Sequence, residues 1–164
     1  MSIVELFNEK FNNYSNFDCD FSLVKYTDNV FIGCDKSGNC SMVVNSSVPN
    51  HNQIMQKTKM LSLECNISVT YELYEETITS TVHVLKCYSR EVDEISLFLE
   101  LSILFVLEGD YSEQHLLSVF KTMVDFFSNK NEPSDIELQG LFAELYTIKK
   151  FHNNIKLGDY WQSR

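Results

Sequence analysis

A glycine and a glutamate stand one helical turn apart late in the chain, within the stretch LQGLFAELYTIKKF, Leu138 to Phe151. Apolar residues recur there every three or four positions, which predicts an amphipathic helix. At about 100° per residue, Glu144 falls at the border of the apolar arc, with Gly140 one turn below it. A glycine inside a helix costs about 1 kcal/mol relative to alanine, so this one calls for a compensating role.

Two interpretations of the pair are open. In the first, the missing side chain of Gly140 leaves room beside the Glu144 carboxylate for a metal ion, a substrate or a backbone segment. In the second, Gly140 permits close helix packing, while Glu144 reaches solvent or pairs with Lys149 or with a neighbouring strand. The local pattern by itself favours the second.

The remaining chemically capable side chains form no recognisable motif. The histidines show no arrangement with a serine or cysteine typical of a nucleophile and its base, and neither His-x-x-x-His nor Cys-x-x-Cys occurs. We predict that the five cysteines are small buried hydrophobes on strands. A Cys34/Cys40 pair across a hairpin, or a weak metal site with His51 or His83, is the alternative. The cysteines are Cys19, Cys34, Cys40, Cys65 and Cys87.

The charge balance limits the partners of the chain. The chain has 13 Lys and Arg and 23 Asp and Glu, which give a net charge of -10. This charge argues against the bulk of the chain binding the phosphate backbone of a nucleic acid. The charge is uneven, because residues 1–138 hold 9 basic and 21 acidic side chains, whereas the tail is more basic. The basic residues of the tail include Lys149, Lys150 and Lys156.

The most apolar stretch runs from Ile95 to Leu107 and spans about 13 residues, whereas a membrane-spanning helix needs about 20. We therefore predict a core helix and no membrane partner. The N-terminal sequence MSIVELFNEKF lacks the basic and then apolar layout of a signal peptide, and the cysteine count is odd. These features predict a cytoplasmic protein with reduced thiols.

The elements that position these residues follow from the period of the apolar pattern. A short helix is predicted over Ser2 to Asn12, with Ser2 as its cap. Alternating runs then predict five strands in an antiparallel meander with one wet face. After Ser89 the period becomes 3.6 and predicts helices at about 91–108, 113–128 and 135–152, with a short helix near 156–162. The fold class is therefore α+β, with an antiparallel sheet of about five strands followed by three to four helices on one side.

Local signals mark the ends of several elements. Asp35 to Asn39 supplies a hairpin loop in which a glycine can take a positive φ. Asn129 to Pro133 breaks the chain, and Ser134 with Glu137 forms a capping box for the next helix. We therefore predict an N-terminal α+β domain, residues 1–129, and a separate segment, residues 134–164.

The block GLFAEL, from Gly140 to Leu145, followed by Trp161, resembles the core opening of an uncharacterised bacterial family of PD-(D/E)XK motif proteins. These are restriction-endonuclease-like nucleases often associated with restriction or phage-defence gene clusters. Ala143 stands where that family usually has a second glycine. The similarity extends upstream to Phe31–Asp35 and Val82–Leu99, mostly as hydrophobic pattern. The family motif positions are Gly140, Leu141, Phe142, Leu145 and Trp161.

The resemblance implies a role for Glu144. In such nucleases a glutamate of the first core helix lies near a Mg²⁺ site, which Asp and (D/E)xK residues on later strands complete. No lysine here has an acidic residue two positions before it, so (D/E)xK is absent. The resemblance then implies that residues 134–164 are the first helix and the start of a truncated nuclease-like core. It also implies an N-terminal, non-catalytic region that is inactive alone and needs the rest of the nuclease core or a partner protein. It would reach DNA only through the complete protein, with the tail lysines as candidate contacts.

Two other hypotheses remain. The chain could be an acidic α+β adaptor that binds another protein. It could also be a DNA mimic or nuclease inhibitor, which would require its acidic side chains to line one continuous face.

Overall fold

A computed structural model of the protein describes residues 2–11, 17–46 and 52–128. Contacts divide the chain into two units, Met1–Ser128 and Asn129–Arg164. The predicted boundary at Asn129–Pro133 and the predicted helices at 135–152 and 156–162 lie outside the described residues. The described elements, in chain order, are α1 (Ile3–Phe11), β1 (Phe21–Lys25), β2 (Val30–Asp35), β3 (Cys40–Asn45), β4 (Ile54–Lys57), β5 (Leu61–Leu73), β6 (Glu76–Cys87), α2 (Val92–Leu107) and α3 (Glu113–Ser128).

The six described strands form one mixed sheet in the order β1-β2-β3-β6-β5-β4. Strand β1 also pairs with the C-terminal end of β5, so five strands close into a barrel-like ring, and β4 extends from the N-terminal end of β5. The α+β class is confirmed. The purely antiparallel prediction is wrong at β1–β5, where Phe21 pairs with Tyr71 in parallel. A closed ring of five strands cannot alternate direction throughout, because five is odd.

Alternate side chains of the closed strands point into the ring and form its core. The rings of Phe31 and Tyr71 pack there with centroids 5.9 Å apart and planes tilted by 40°. Burying an aliphatic or aromatic side chain stabilises the fold by about 1.5–3 kcal/mol, so this interior is a principal source of stability. The buried members of the cluster are Phe21, Leu23, Phe31, Val43, Val69, Tyr71, Val82 and Val84.

The three described helices cover the outer face of neighbouring strands. Helix α1 contacts β2 and α2, helix α2 contacts β3 and β6, and helix α3 contacts α2 and β5. All six residues of β2 are buried, because one face lines the ring and the other lies under α1. The predicted wet face is therefore wrong for this strand. The fully buried helix residues include Phe98, Leu99, Leu101, Leu116 and Met123.

The predicted starts of α1 and α3 are confirmed, and a serine caps each of these two helices. At α1, the Ser2 N–H donates to Glu5 Oε2 at 2.6 Å, and the Glu5 N–H donates to Ser2 Oγ at 3.1 Å, which makes a capping box. At α3, the His115 N–H donates to Ser112 Oγ at 3.2 Å. These bonds satisfy backbone donors that have no partner within the helix.

Two glycines fix the geometry of β2 and its hairpin. A Cβ added to Gly33 would lie 1.9 Å from the backbone oxygen of Ser22. The backbone of β1 can lie this close to β2 only because residue 33 has no side chain. Gly38 has a φ of +73°, as predicted for the hairpin loop. Such a conformation is strained for a residue with a side chain.

Candidate functional site

The site predicted from the resemblance lies outside the described residues. This holds for Gly140 and Glu144, and it holds equally for Trp161. It also applies to Leu141, Phe142, Leu145, Lys149, Lys150 and Lys156. The role of Glu144 and the requirement for Mg²⁺ therefore stay predictions.

The upstream segments that carry the resemblance are structural in the described part of the chain. Phe31–Asp35 forms most of β2, and Val82–Leu99 runs from the end of β6 into α2. Phe31, Val82 and Val84 belong to the ring interior. Their hydrophobic pattern is accounted for by packing.

Asp35 organises a polar cluster at the end of β2. Its Oδ1 accepts hydrogen bonds from the N–H groups of Ser37 and Asn39, both at 2.9 Å. Its Oδ2 accepts from Asn39 Nδ2 at 3.0 Å and pairs with Lys86 Nζ at 2.9 Å. Burial raises the pKa of the Asp35 carboxyl, but the donors from Asn39 and Lys86 outweigh it, and the pKa lies below its usual value. The cluster holds the hairpin loop in shape.

Arg90 fixes the same loop from outside. Its guanidinium donates to the backbone oxygens of Ser37 and Gly38, each at 2.6 Å. Lys86 Nζ lies 5.4 Å from the centroid of the Phe21 ring, so the ammonium has an aromatic as well as an acidic neighbour. Lys86 of β6 thus contacts Asp35 of β2 and Phe21 of β1, and these contacts help to hold the three strands together.

A second polar cluster joins β5 to the start of α3, at the point between Glu64 and Ile67 where the pairing of β5 with β6 shifts register. The Asn66 N–H donates to His83 Nδ1 at 3.3 Å, and Asn66 Nδ2 donates to Glu113. Ser46 Oγ donates to Asn66 Oδ1 at 3.1 Å. The φ of Asn66 is +57°, a conformation that asparagine tolerates better than most residues. These bonds use the amide of Asn66 to anchor α3 on the sheet.

The buried His83 ring gives the fold a dependence on pH. Its Nδ1 accepts a hydrogen bond from the Asn66 N–H, which only a ring unprotonated at Nδ1 can do. Burial lowers the pKa of His83 below its ordinary 6.5, although Glu113 opposes the shift. The unfolded chain therefore binds a proton more readily than the folded one, and stability present above pH 6.5 is lost as the pH falls.

We expect the free energy of unfolding to fall by up to about 1.4 kcal/mol per pH unit below pH 6.5 through this group. Urea unfolding between pH 8 and 5, for the wild type and His83→Asn, measures it. The variant keeps an acceptor near Nδ1 but does not titrate, so its stability should decline less over that range. Parallel curves for the two proteins would contradict this assignment.

The five cysteines, all within the described residues, are free thiols. Cys34 and Cys40 face each other across the β2–β3 hairpin, as the alternative prediction had it, and no disulfide joins them. Cys34, Cys40, Cys65 and Cys87 are buried, which confirms the main prediction for four of the five. Burial raises the pKa of Cys34 to about 11 and that of Cys65 to about 12, and raises that of Cys40 strongly.

We expect iodoacetamide at pH 8 to label Cys19 first, because it is the one cysteine that is not buried. The thiolate is the reactive form, and at pH 8 burial leaves very little of it at Cys34 and Cys65. Intact mass and peptide mapping before and after denaturation in guanidinium measure the labelling. A Cys19→Ser variant should take up no label over the same interval. Rapid labelling of Cys34 or Cys40 in the native protein would contradict the buried assignment.

A groove lies between the end of β4 and α3, within the described residues. Its volume is about 250 Å³. Its apolar lining comes from three residues of α3, of which Leu117 and Val124 are partly exposed. Lys57 and Lys121 add positive charge, and Asp125 adds a negative one. The lining residues are Gln56, Lys57, Thr58, Leu117, Phe120, Lys121, Val124 and Asp125.

Strand β4 forms one wall of the groove and is the last strand of the sheet. Its four residues pair with Cys65 to Ser62 of β5, and in the described residues its opposite edge meets no other strand. Met55 on this strand is 62% exposed, which is high for a large apolar side chain. Lys57 Nζ lies 4.8 Å from the centroid of the Tyr88 ring, so this lysine has a defined position beside the groove.

The sequence did not predict this groove. Strand β4 lies outside the five strands predicted from the sequence, because Ile54–Lys57 is short and its apolar and polar residues do not alternate clearly. One signal was available: residues 52–63 hold Lys57 and Lys59 and no acidic residue, in a chain whose net charge is -10. Lys121 lies on α3, which is separated from β4 in the sequence by β5, β6 and α2. Only the packing of the fold brings it near Lys57.

Two general properties apply to the part of the chain that the structure describes. No three His, Cys, Asp or Glu side chains converge there in a way that could hold a metal ion. None of the helices there combines the length and the apolar character needed to cross a bilayer. Comparison with known proteins found no protein-family model, no curated protein and no solved structure that matches the chain.

Proposed function

We propose that residues 2–128 form a protein-interaction module, and that the surface formed by β4 and the β4–α3 groove is where it binds its partner. The observation that carries the proposal is the open edge of β4 next to a partly apolar groove, with Met55 exposed on the same strand. An exposed strand edge presents backbone N–H and C=O groups that another chain can pair with. An adjoining apolar groove adds selectivity for the side chains of that partner.

The surroundings of the groove support binding of a protein. The rest of the module is strongly acidic, so an acidic partner is repelled from most of its surface and attracted to the lysines beside β4. The five thiols and the absence of disulfides among them suit a reducing compartment. We accordingly propose that the module acts in the cytoplasm.

Site-specific photocrosslinking tests the proposal. A photoreactive phenylalanine analogue at Met55 should crosslink one defined protein in cells, identified by mass spectrometry, and the pair should re-form from purified components. The matched control is the same analogue at Tyr74, which is 70% exposed and lies on the β5–β6 turn. Equal crosslinking from both positions, or none from Met55, would contradict the proposal.

We further propose that the protein bound by this module belongs to a DNA nuclease of the PD-(D/E)XK class. The support is the GLFAEL block with Trp161, whose Glu144 the resemblance makes a metal-binding acid. In that case the chain is a non-catalytic accessory to a Mg²⁺-dependent active site and acts in restriction or phage defence. The acidic charge of residues 1–138 agrees with a region that need not touch DNA itself.

The nuclease proposal is tested by purifying the tagged chain with its native partners and assaying Mg²⁺-dependent DNA cleavage. We expect cleavage by the complex, none by residues 1–164 alone, and loss of cleavage by the complex with Glu144→Gln. Asp159→Asn serves as the control, since it makes the same acid-to-amide change at a position of the segment that is assigned no role. Cleavage by the isolated chain, or undiminished cleavage with Glu144→Gln, would refute the assignment.

A further inference from the structure

We infer that the β4–α3 groove binds an extended acidic peptide of the partner protein, which adds to the outer edge of β4 as a new strand. The inference rests on the proposed function, because it names the chemistry of the molecule bound at the same surface. It commits to one binding geometry, with backbone pairing along β4 and alternate side chains in the groove.

The direction of the backbone groups on β4 follows from the β4–β5 turn. The Thr58 N–H donates to the Leu61 oxygen at 2.8 Å, so it points toward β5. Because N–H groups alternate along a strand, that of Gln56 also points toward β5, while those of Met55 and Lys57 point to the outer edge. The outer edge therefore offers donors at two positions for a strand laid beside it.

The side of the groove formed by α3 suits the side chains of such a strand. Leu117 and Val124 lie one helical turn on either side of Phe120, so their apolar surfaces form a row along the helix. In an added strand, every second side chain points to the same face. A peptide with apolar residues at alternate positions can therefore place them along that row while its backbone pairs with β4.

The charges beside the groove select an acidic peptide. Lys57 and Lys121 line it, Lys59 follows at the exposed β4–β5 turn, and residues 52–63 contain no acidic side chain. Among the described residues, neither Lys57 nor Lys121 takes part in an ion pair, so both ammonium groups can meet carboxylates of a ligand. Asp125 is the one acidic residue of the lining. It disfavours a peptide that carries acidic residues along its whole length, and favours one whose acidic residues lie near the lysines.

Peptide selection on the purified full chain tests the inference. The probe is a phage-displayed library of random 12-residue peptides. We expect selected sequences in which apolar residues recur at every second position with Asp or Glu between them. A synthetic copy of a selected peptide should lose at least about tenfold in affinity for the double variant Lys57→Glu/Lys121→Glu. Lys10→Glu on α1 is the control and should leave the affinity unchanged, since it is an exposed lysine on another element.

The backbone geometry is tested separately. Binding should slow amide hydrogen exchange at Met55 and Lys57, and a peptide N-methylated at alternate residues should bind at least about tenfold more weakly. Selected sequences with helical spacing, or with Lys and Arg in place of acidic residues, would overturn the inference. So would unchanged exchange at both amides, or a dimer of the chain that pairs through β4.

The outcomes separate the inference from the proposed function. If Met55 crosslinks a defined protein but no acidic extended peptide is selected, the interaction module stands and the strand-addition geometry is wrong. If neither crosslinks nor peptides are obtained, both are wrong. If peptides bind as expected but no cellular protein is crosslinked, the groove has the stated chemistry and the proposed cellular function fails.

Discussion

Gly33→Ala is expected to destabilise the protein by more than about 3 kcal/mol and to prevent the strands from closing into a ring. The new Cβ would lie 1.9 Å from the Ser22 oxygen and 3.0 Å from the Leu23 Cα. Both are backbone atoms of β1, so no side chain can turn aside to relieve the contact. Overpacking usually costs about 1–3 kcal/mol when side chains can adjust, and here the strand itself must move.

Urea unfolding followed by circular dichroism measures the effect, and hydrogen exchange of the β1 amides shows whether closure is lost. Gly38→Ala is the matched control. It introduces a strained φ, and its Cβ would lie 3.2 Å from the end of the flexible Arg90 side chain, so its cost should be about 1 kcal/mol. A Gly33→Ala protein no less stable than Gly38→Ala would show that β1 and β2 are farther apart than described.

The second large effect is expected from Asp35→Ala. Asp35 and Lys86 have side chains that are 12% and 14% exposed, and their charged atoms lie 2.9 Å apart. Removing the carboxylate leaves the ammonium in a poorly solvated position and also releases the N–H groups of Ser37 and Asn39. Loss of one member of a buried ion pair typically costs about 3–5 kcal/mol, and we expect a value near the lower end.

A double-mutant cycle tests the cause of this loss. Lys86→Met removes the charge while keeping an extended apolar side chain against Phe21. In the Asp35→Ala background it should recover about 1 kcal/mol or more, because no unpaired ammonium then remains. Equal losses from Lys86→Met in the wild-type and Asp35→Ala backgrounds would show that the two charges do not interact.

The helices could be predicted because their signals are local. Ser2 with Glu5, and Ser112 with Gly109, mark helix ends within a few residues, and α2 and α3 lie at Val92–Leu107 and Glu113–Ser128, close to the predicted ranges. The five predicted strands correspond to β1, β2, β3, β5 and β6.

The closure of the sheet could not be predicted from such signals. The pairing of Phe21 with Tyr71 joins residues far apart in sequence, and neither run carries a mark of its partner. The sequence gives no signal for β4, because Ile54–Lys57 has no clear alternation and forms a strand only through its pairing with β5. A two-fold pattern shows which faces of a strand are apolar, but the pattern leaves open which strand lies beside it.

The candidate groove could not be predicted from local sequence patterns either, for a related reason. Lys57 lies on a strand and Lys121 on a helix, and they line one groove only because α3 packs on β5. The site predicted from the GLFAEL block rests on residues 140–161 and remains to be tested by the nuclease experiment. Charge along the sequence did point to residues 52–63, since they carry lysines and no acidic residue.

The parallel closure between β1 and β5 also sets an order of events when the chain is made. Thr70 bonds to Asp20, 50 residues earlier, so β1 emerges from the ribosome well before the strand that completes its pairing. Pairings this distant in sequence slow folding, because loop entropy is lost before the contacts form. Until β5 is available, β1, β2 and β3 can therefore form only an open meander whose apolar faces are exposed to solvent. We therefore expect chaperones to bind the N-terminal half of the protein during synthesis, and aggregation to compete with folding at that stage.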